Sequence, residues 1–316
     1  MRLRVLCPHD RAEAVLAAVR DEPGAAHVVV LRGAAVAPAG DVVEADVARE
    51  AVDDLVDRIR ALGCDRNGGI VLEQLDTVIS DAATEAERRA PGEGIDAVVW
   101  DELLARTGQD ARLSVTFVGM LTIACLLGAI GVVTNSSVTV VGAMVLGPEF
   151  GPLAALAVAA VRRRADLARR ALVALGAGFG IALPVTAGAA AVARAVGAVP
   201  DDALVDLDQV AFVFQVGPFS LVVALLAGVA GMLALLAGQG SGVLVGVFIS
   251  VTTVPAAGFA AVAVVLRDWP EALGSLAQLA VNVTGIVVAG LVVLLLARWF
   301  RRRSGRGRVV HQRLGR

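Results

Sequence analysis

At 316 residues, 57% of them hydrophobic, and with a mean hydropathy of +0.75, the chain is too apolar for a wholly soluble globular protein. Its net charge of −2 hides an acidic amino-terminal part and an arginine-rich carboxyl end, and offers no strong overall field for nucleic acid. Three cysteines, Cys7, Cys64 and Cys125, make no disulfide framework.

Residues 1–112 hold most of the acids and read as soluble, whereas 113–300 are apolar runs broken by short polar loops. The opening "MRLRVLCPHDRAEAV" lacks the apolar stretch of a secretory leader, so the amino-terminal domain is expected to stay on the side of synthesis. All 28 basic residues are arginine, a composition expected of a GC-rich bacterial genome. Cys7 with His9, and Cys64 with His27, leave a metal site conceivable, but the spacing fits no zinc pattern. No metal and no cofactor are expected.

In chain order, "LRVLCP" reads as a strand and "DRAEAVLAAVRDEPG" as a helix capped by Asp10 and ended by Pro23-Gly24. "AHVVVLRG" and "GDVVEADVA" read as two strands joined by a turn. "REAVDDLVDRIRALG" is an amphipathic helix with Val52, Leu55, Val56, Ile59 and Leu62 on one face, closed by Gly63. "GGIVLEQLDTVIS" supplies a fourth strand. The order β-α-β-β-α-β predicts a ferredoxin-like α+β domain over residues 1–80. A linker over 81–112 follows, with a polar segment from Asp81 to Pro91-Gly92 and a helix from Ile95 to Thr107. That helix is either a connector packed on protein or an interfacial helix with Trp100 at the headgroups; its mix of acids and arginines favours the connector.

Six apolar runs then follow: Leu113–Val133, Val138–Val161, Ala171–Ala193, Val210–Ala237, Val243–Leu266 and Ala272–Trp299. Each reaches the ~20 residues a bilayer crossing needs. The loop "RRRADLARR" holds five arginines and the tail from Arg298 holds eight, while the other connections are poor in them. Six crossings with both termini cytoplasmic place every arginine-rich segment inside, the orientation expected in a plasma membrane. The tail, 301–316, is read as basic and cytoplasmic.

The second run is interrupted. "GPEFGP" sets Gly147, Pro148, Glu149, Phe150, Gly151 and Pro152 in succession, and a regular helix is not expected to persist through it. Broken helices at membrane depth are tolerated when buried in protein or lining a wet cavity. Glu149, residue twelve of a 24-residue run, is expected near the midplane, where an ionisable group usually marks an ion or proton path. The plainer alternative is a carboxyl that caps the amides freed by the break. A re-entrant hairpin turning at Glu149 is a further alternative, which the arginine distribution argues against.

The fifth run also carries a proline, Pro255, beside Ser250, Thr252 and Thr253. "PLAALAVAAV" after the first break resembles "PAAGFAAVAV" after Pro255. A break in the second run of each half predicts a 3+3 inverted repeat with a midplane site between the breaks. Helix N-termini there suit an anion, whereas Glu149 suits a cation or a proton. Asn135, Ser136 and Ser137 before run two, Gln215 in run four, and Asn282 and Thr284 in run six are further candidates; each is also explained by an interhelical hydrogen bond.

"NSSVTVVGAMVLGPEFGPLAAL", "GVAGMLALL", "GVFISVTTVPAAG" and "LAVNVTGIVVAG" together resemble a bacterial and archaeal membrane family known as domain of unknown function 389, or the uncharacterised hydrophobic domain. The resemblance covers roughly Leu113 to Phe300. Its most specific part is Gly142, Ala143, Met144, Pro148, Gly151 and Pro152. Many members have an apolar residue where Glu149 stands, and a Pro-Pro pair where this chain has Val254-Pro255. The resemblance implies a polytopic membrane protein and supplies no function.

Two functions fit. One is a secondary transporter of a small solute or ion, with a site at Gly147, Pro148, Glu149, Gly151, Pro152, Asn135, Ser136, Thr252, Thr253, Pro255 and Asn282, coupled to a proton or cation through Glu149. The other is a membrane sensor or scaffold whose soluble domain binds a ligand or partner. No Ser-His-Asp set, metal cluster or nucleotide motif is legible, so no enzyme is expected. The expected partners are the lipid bilayer and an unknown small solute or ion, with a homo-oligomer left open and nucleic acid excluded.

Overall fold

The computed structural model describes residues 1–75, 77–90, 99–201, 203–204, 207, 210, 218–237 and 253–314, the last fourteen by their backbone alone. They form two compact units, Met1–Leu103 and Leu104–Arg316.

The first unit is built on alternation. β1 (Arg2–Cys7) turns Leu3, Val5 and Cys7 inward, and β3 (Ala39–Val47) turns Val43, Ala45 and Val47 inward. Their register puts Arg2 opposite Asp46 and Arg4 opposite Glu44, so the outer face carries cross-strand ion pairs. β2 (Ala25–Val36) pairs with β3, and β4 (Gly69–Glu73) with β1, giving an antiparallel sheet of order β2-β3-β1-β4. The inner face is covered by α1 (His9–Arg20) through Val15 and Val19, and by α2 (Arg49–Ala61) through Val52, Leu55, Val56 and Ile59. The β-α-β-β-α-β order expected from the sequence is present, with a one-turn helix, α3 (Cys64–Asn67), added before β4.

Several local expectations need correction. Pro8, not Asp10, occupies the N-cap of α1, because proline's fixed φ already sets the entry to the helix. β4 stops at Glu73, and Ser80 caps a further helix, α4 (Asp81–Arg89), where a polar segment was expected. α5 is described from Trp100 to Asp110, while 95–98, where the expected helix begins, lie outside the described residues. Trp100 is not at a headgroup layer: it is buried and its amide donates to Asp53 at 3.2 Å. Arg60 pairs with Asp101 at 2.8 Å, so this stretch packs on protein, as the connector reading requires.

In the second unit, Ser114 caps α6 (Val115–Val133) by accepting the Phe117 amide. A tight turn leads to α7 (Ser137–Leu146), then α8 (Phe150–Arg162), α9 (Ala165–Ala195), α10 (Pro218–Leu236), α11 (Thr253–Leu266) and α12 (Trp269–Leu314). Four of these helices are long and apolar enough to cross a membrane, five if the bent pair α7 and α8 is one span. This is consistent with a multi-pass membrane protein. The six expected crossings are not all visible: the fifth run is described only from Thr253 on, and Ser250 and Thr252 lie outside the described residues. α11 crosses α6 at backbone contact. A methyl group on Gly258 would lie 2.6 Å from the Ala129 nitrogen and 2.8 Å from the Cys125 carbonyl oxygen.

Candidate functional site

The "GPEFGP" stretch breaks the helix where expected. α7 ends at Gly147, whose ψ of 120° leaves the helical region. Pro148 has no amide to donate, and α8 resumes at Phe150 with its axis turned by 53°. Pro152 is the third residue of α8, within the first turn, where a missing N–H loses no helical bond.

Glu149 occupies the N-cap position of α8, with only its backbone in that role. Its carbonyl accepts the Leu153 amide at 3.2 Å, and its side chain makes no cap hydrogen bond. The expectation of a simple capping carboxyl is therefore not met. The carboxylate, 1% exposed, instead accepts a hydrogen bond from the buried hydroxyl of Thr253 in α11. Cys125, midway along α6, lies within electrostatic reach of Glu149. Gly128, one turn further along α6, would carry a methyl 3.4 Å from Pro255 Cα, so the start of α11 lies beside the middle of the first span.

α12 adds a polar stripe. Ser275, Gln278 and Asn282 are all fully buried. Ser275 donates to the Ala256 carbonyl at 2.7 Å, and Gln278 Nε2 donates to Asn282 Oδ1 at 3.1 Å. The Ser275–Ala256 bond fixes the register of the antiparallel pair α11 and α12, and one turn further along brings Gln278 to the level of Thr253. Leu279 packs in the same cluster as Val254, Cys125 and Ala143, which agrees with that level. Gln278 Oε1 is buried with no hydrogen-bond partner among the described residues.

A second acid lies beside the break. Gly151 faces the Cβ of Asp110, the last residue of α5, so closely that a methyl there would lie 2.5 Å away. Burial raises the Asp110 carboxyl above its ordinary value, against the opposing pull of Arg106.

Glu149, Pro148, Gly147, Gly151, Pro152, Thr253 and Pro255 are thus brought together. Asn282 sits on the wall formed by α12. Asn135 and Ser136 are not brought in: they form the turn between α6 and α7, about 15 Å of helix away from the break. Asn135 takes the left-handed conformation there, and Ser136 caps α7 by accepting the Thr139 amide at 3.3 Å. Thr252 and Gln215 lie outside the described residues. Gln278, Ser275 and Asp110 escaped the sequence reading, although the four-residue spacing of Gln278 and Asn282 on a helix was a readable signal.

The cysteine and histidine pairs have other work. Cys7 donates to the Asp41 carbonyl, and His9 Nδ1 lies 2.7 Å from the Asp41 carboxylate. Among the described residues no group of three His, Cys, Asp or Glu is placed to hold a metal ion.

Residues 144–288 match the model of the DUF389 family, described as a domain of unknown function. That stretch is similar to the DUF389 family. The matched DUF389 stretch starts at Met144 in α7 and ends at Val288 in α12, narrower than the 113–300 the motifs implied. It contains the break, Glu149, Thr253, Gln278 and Asn282, whereas Gly142 and Ala143 precede it. No curated protein and no solved structure matches the chain.

Proposed function

We propose that this protein is a secondary transporter of a small solute or ion, coupled to a proton or cation through Glu149. The observation that carries this reading is a buried carboxylate at a helix break, held by a hydroxyl from a second proline-bearing segment. An ionisable group buried at membrane depth is costly and usually marks an ion or proton path. The unmet acceptor on Gln278, at the same level, supports a polar ligand there.

Packing supports the 3+3 inverted repeat that such a carrier uses. Pro152 is the third residue of α8, and Pro255 lies near the described start of α11. α6 packs on α9 as α10 packs on α12; α8 packs on α9 as α11 packs on α12; and α8 packs on α12 as α11 packs on α9. These three pairs are images of one another when the two halves are exchanged, whereas the α6–α11 crossing has no comparable counterpart between α10 and α8 among the described residues. The glycine contacts agree: Gly178 of α9 faces Phe117 and Leu121 of α6, and Gly285 of α12 faces Leu221 and Ala224 of α10. In this reading both termini are cytoplasmic and the arginine-rich α8–α9 turn faces the same side.

Purified protein reconstituted into liposomes loaded with a pH-sensitive dye tests the coupling. An imposed pH gradient should dissipate faster than in empty liposomes, and Glu149→Gln should abolish the difference while melting like the parent. A flux that is unchanged in the variant would remove Glu149 from the mechanism.

A further inference from the structure

The amino-terminal unit assembles a Ser-His-Asp chain from three segments far apart in sequence. His27 lies in β2 where the pairing with β3 slips between Ala26 and Val29. Such bulges re-aim a side chain and are over-represented beside active sites. His27 has a φ of 50°, a left-handed backbone that is strained for a non-glycine residue and clusters at functional positions. Its Nδ1 lies 2.8 Å from Asp46 Oδ2, and its Nε2 lies 2.7 Å from Ser80 Oγ. Arg2 donates to the other Asp46 oxygen at 3.2 Å and fixes that carboxylate.

The polarity of this chain is that of an activated serine. Asp46 accepts from Nδ1–H, which selects the tautomer whose Nε2 lone pair can take the Ser80 proton. A helix cap alone does not call for this arrangement. Ser80 already caps α4 by accepting the Ala83 amide, and that bond needs neither a strained histidine nor an oriented aspartate. His27 is 39% exposed at its side chain and Ser80 is half-buried, so water and a small substrate reach both.

We propose that Ser80, His27 and Asp46 form a hydrolytic site for uncharged carboxylic esters with short acyl chains. Ser80 Oγ attacks the acyl carbon as His27 Nε2 takes its proton, and a C–O bond to Ser80 forms. The ester C–O bond then breaks, and the alcohol leaves with the proton from Nε2. Water, deprotonated by His27, hydrolyses the acyl-serine, releasing the carboxylic acid and returning the proton to Ser80. The developing oxyanion faces the first turn of α4, where helix geometry gives the Asp81 and Ala82 amides no intrahelical acceptor. The surrounding surface sets the substrate class. Ile79, 96% exposed, and the exposed Val78 precede the nucleophile and offer apolar contact to an acyl chain. The carboxylate of Asp81, in the first turn of α4, disfavours anionic substrates; Glu85 is paired with Arg88 and Arg89. Ser80 and His27 are the catalytic residues, and Asp46 is a positioning residue.

The full-length protein in detergent is treated with a fluorophosphonate, with the modified peptide mapped, and assayed with p-nitrophenyl butyrate. Label is expected on Ser80. Ser80→Asn keeps a capping side chain and removes the nucleophile, so it should melt like the parent and lose both label and hydrolysis. His27→Asn and Asp46→Asn should slow labelling and lower kcat by about 100-fold or more with little change in KM. Absence of label on Ser80, full hydrolysis in folded Ser80→Asn, or parental labelling rates in the His27 and Asp46 variants would each overturn the assignment. None of these outcomes bears on the transport reading.

Discussion

Thr253 donates its hydroxyl to the Glu149 carboxylate across 104 residues of sequence, tying α11 to the N-terminal end of α8. Both side chains are buried, so the bond is made in a region of low dielectric where an unmet partner is expensive. Thr253→Val keeps the shape and removes the donor. It should destabilise the protein by about 1–3 kcal/mol. Thermal unfolding in detergent measures this, and a melting point equal to the parent's would show that the bond contributes nothing.

Gly258 allows α11 to reach the backbone of α6. Alanine there would bring Cβ to within 2.6 Å of a backbone nitrogen that cannot move alone, so the helices must separate. A loss of about 1–3 kcal/mol is expected. Gly176→Ala is the control, since a methyl there meets nothing within 4 Å. Equal melting points for the two variants would contradict the close crossing.

Asp41 and Asp46 make the amino-terminal unit acid-sensitive. The Gly33 amide is the main cause of the low Asp41 pKa; burial opposes it, and His9 and Arg32 add to it. Burial is the largest influence on Asp46 and opposes its charge, but the hydrogen bonds from His27 and Arg2 together outweigh it. Both carboxyls therefore titrate below the ordinary aspartate value of about 4 when folded. Their contribution to stability is complete above that value and is lost as pH falls through the folded values. Circular dichroism melts between pH 6 and 2.5 should show the decline, and Asp46→Asn should flatten it. A melting point independent of pH across this range would refute the prediction.

All three cysteines are free and buried. Burial pushes the Cys7 thiol up to about 11, so little thiolate forms near neutrality. Iodoacetamide at pH 8 should leave the native protein unmodified and label it only after denaturation. Rapid alkylation of Cys7 in the native state would place it at the surface.

Local features were readable from the residues. The break at Pro148 follows from proline and glycine chemistry, and the core face of α2 follows from its 3.6-residue period. Partnerships were not. Nothing near Glu149 in sequence announces Thr253, and the Asp46, His27 and Ser80 chain depends on a bulge whose left-handed histidine has no compositional signature. Asp110 escaped because it ends a polar helix and reaches the break only through the gap left by Gly151. The cap at Pro8 was missed because a polar neighbour, Asp10, offered the more familiar signal.

The closing helix, α12, has a mechanical consequence. Its 46 residues run unbroken from Trp269 to Leu314, about 69 Å, more than twice the ~30 Å of a hydrocarbon core. Asn282 lies about 48 Å from the far tip, so each degree of tilt at that level swings the tip by roughly 0.8 Å. A repacking of the α12 wall too small to see locally is magnified into a displacement that a pair of spin labels can follow.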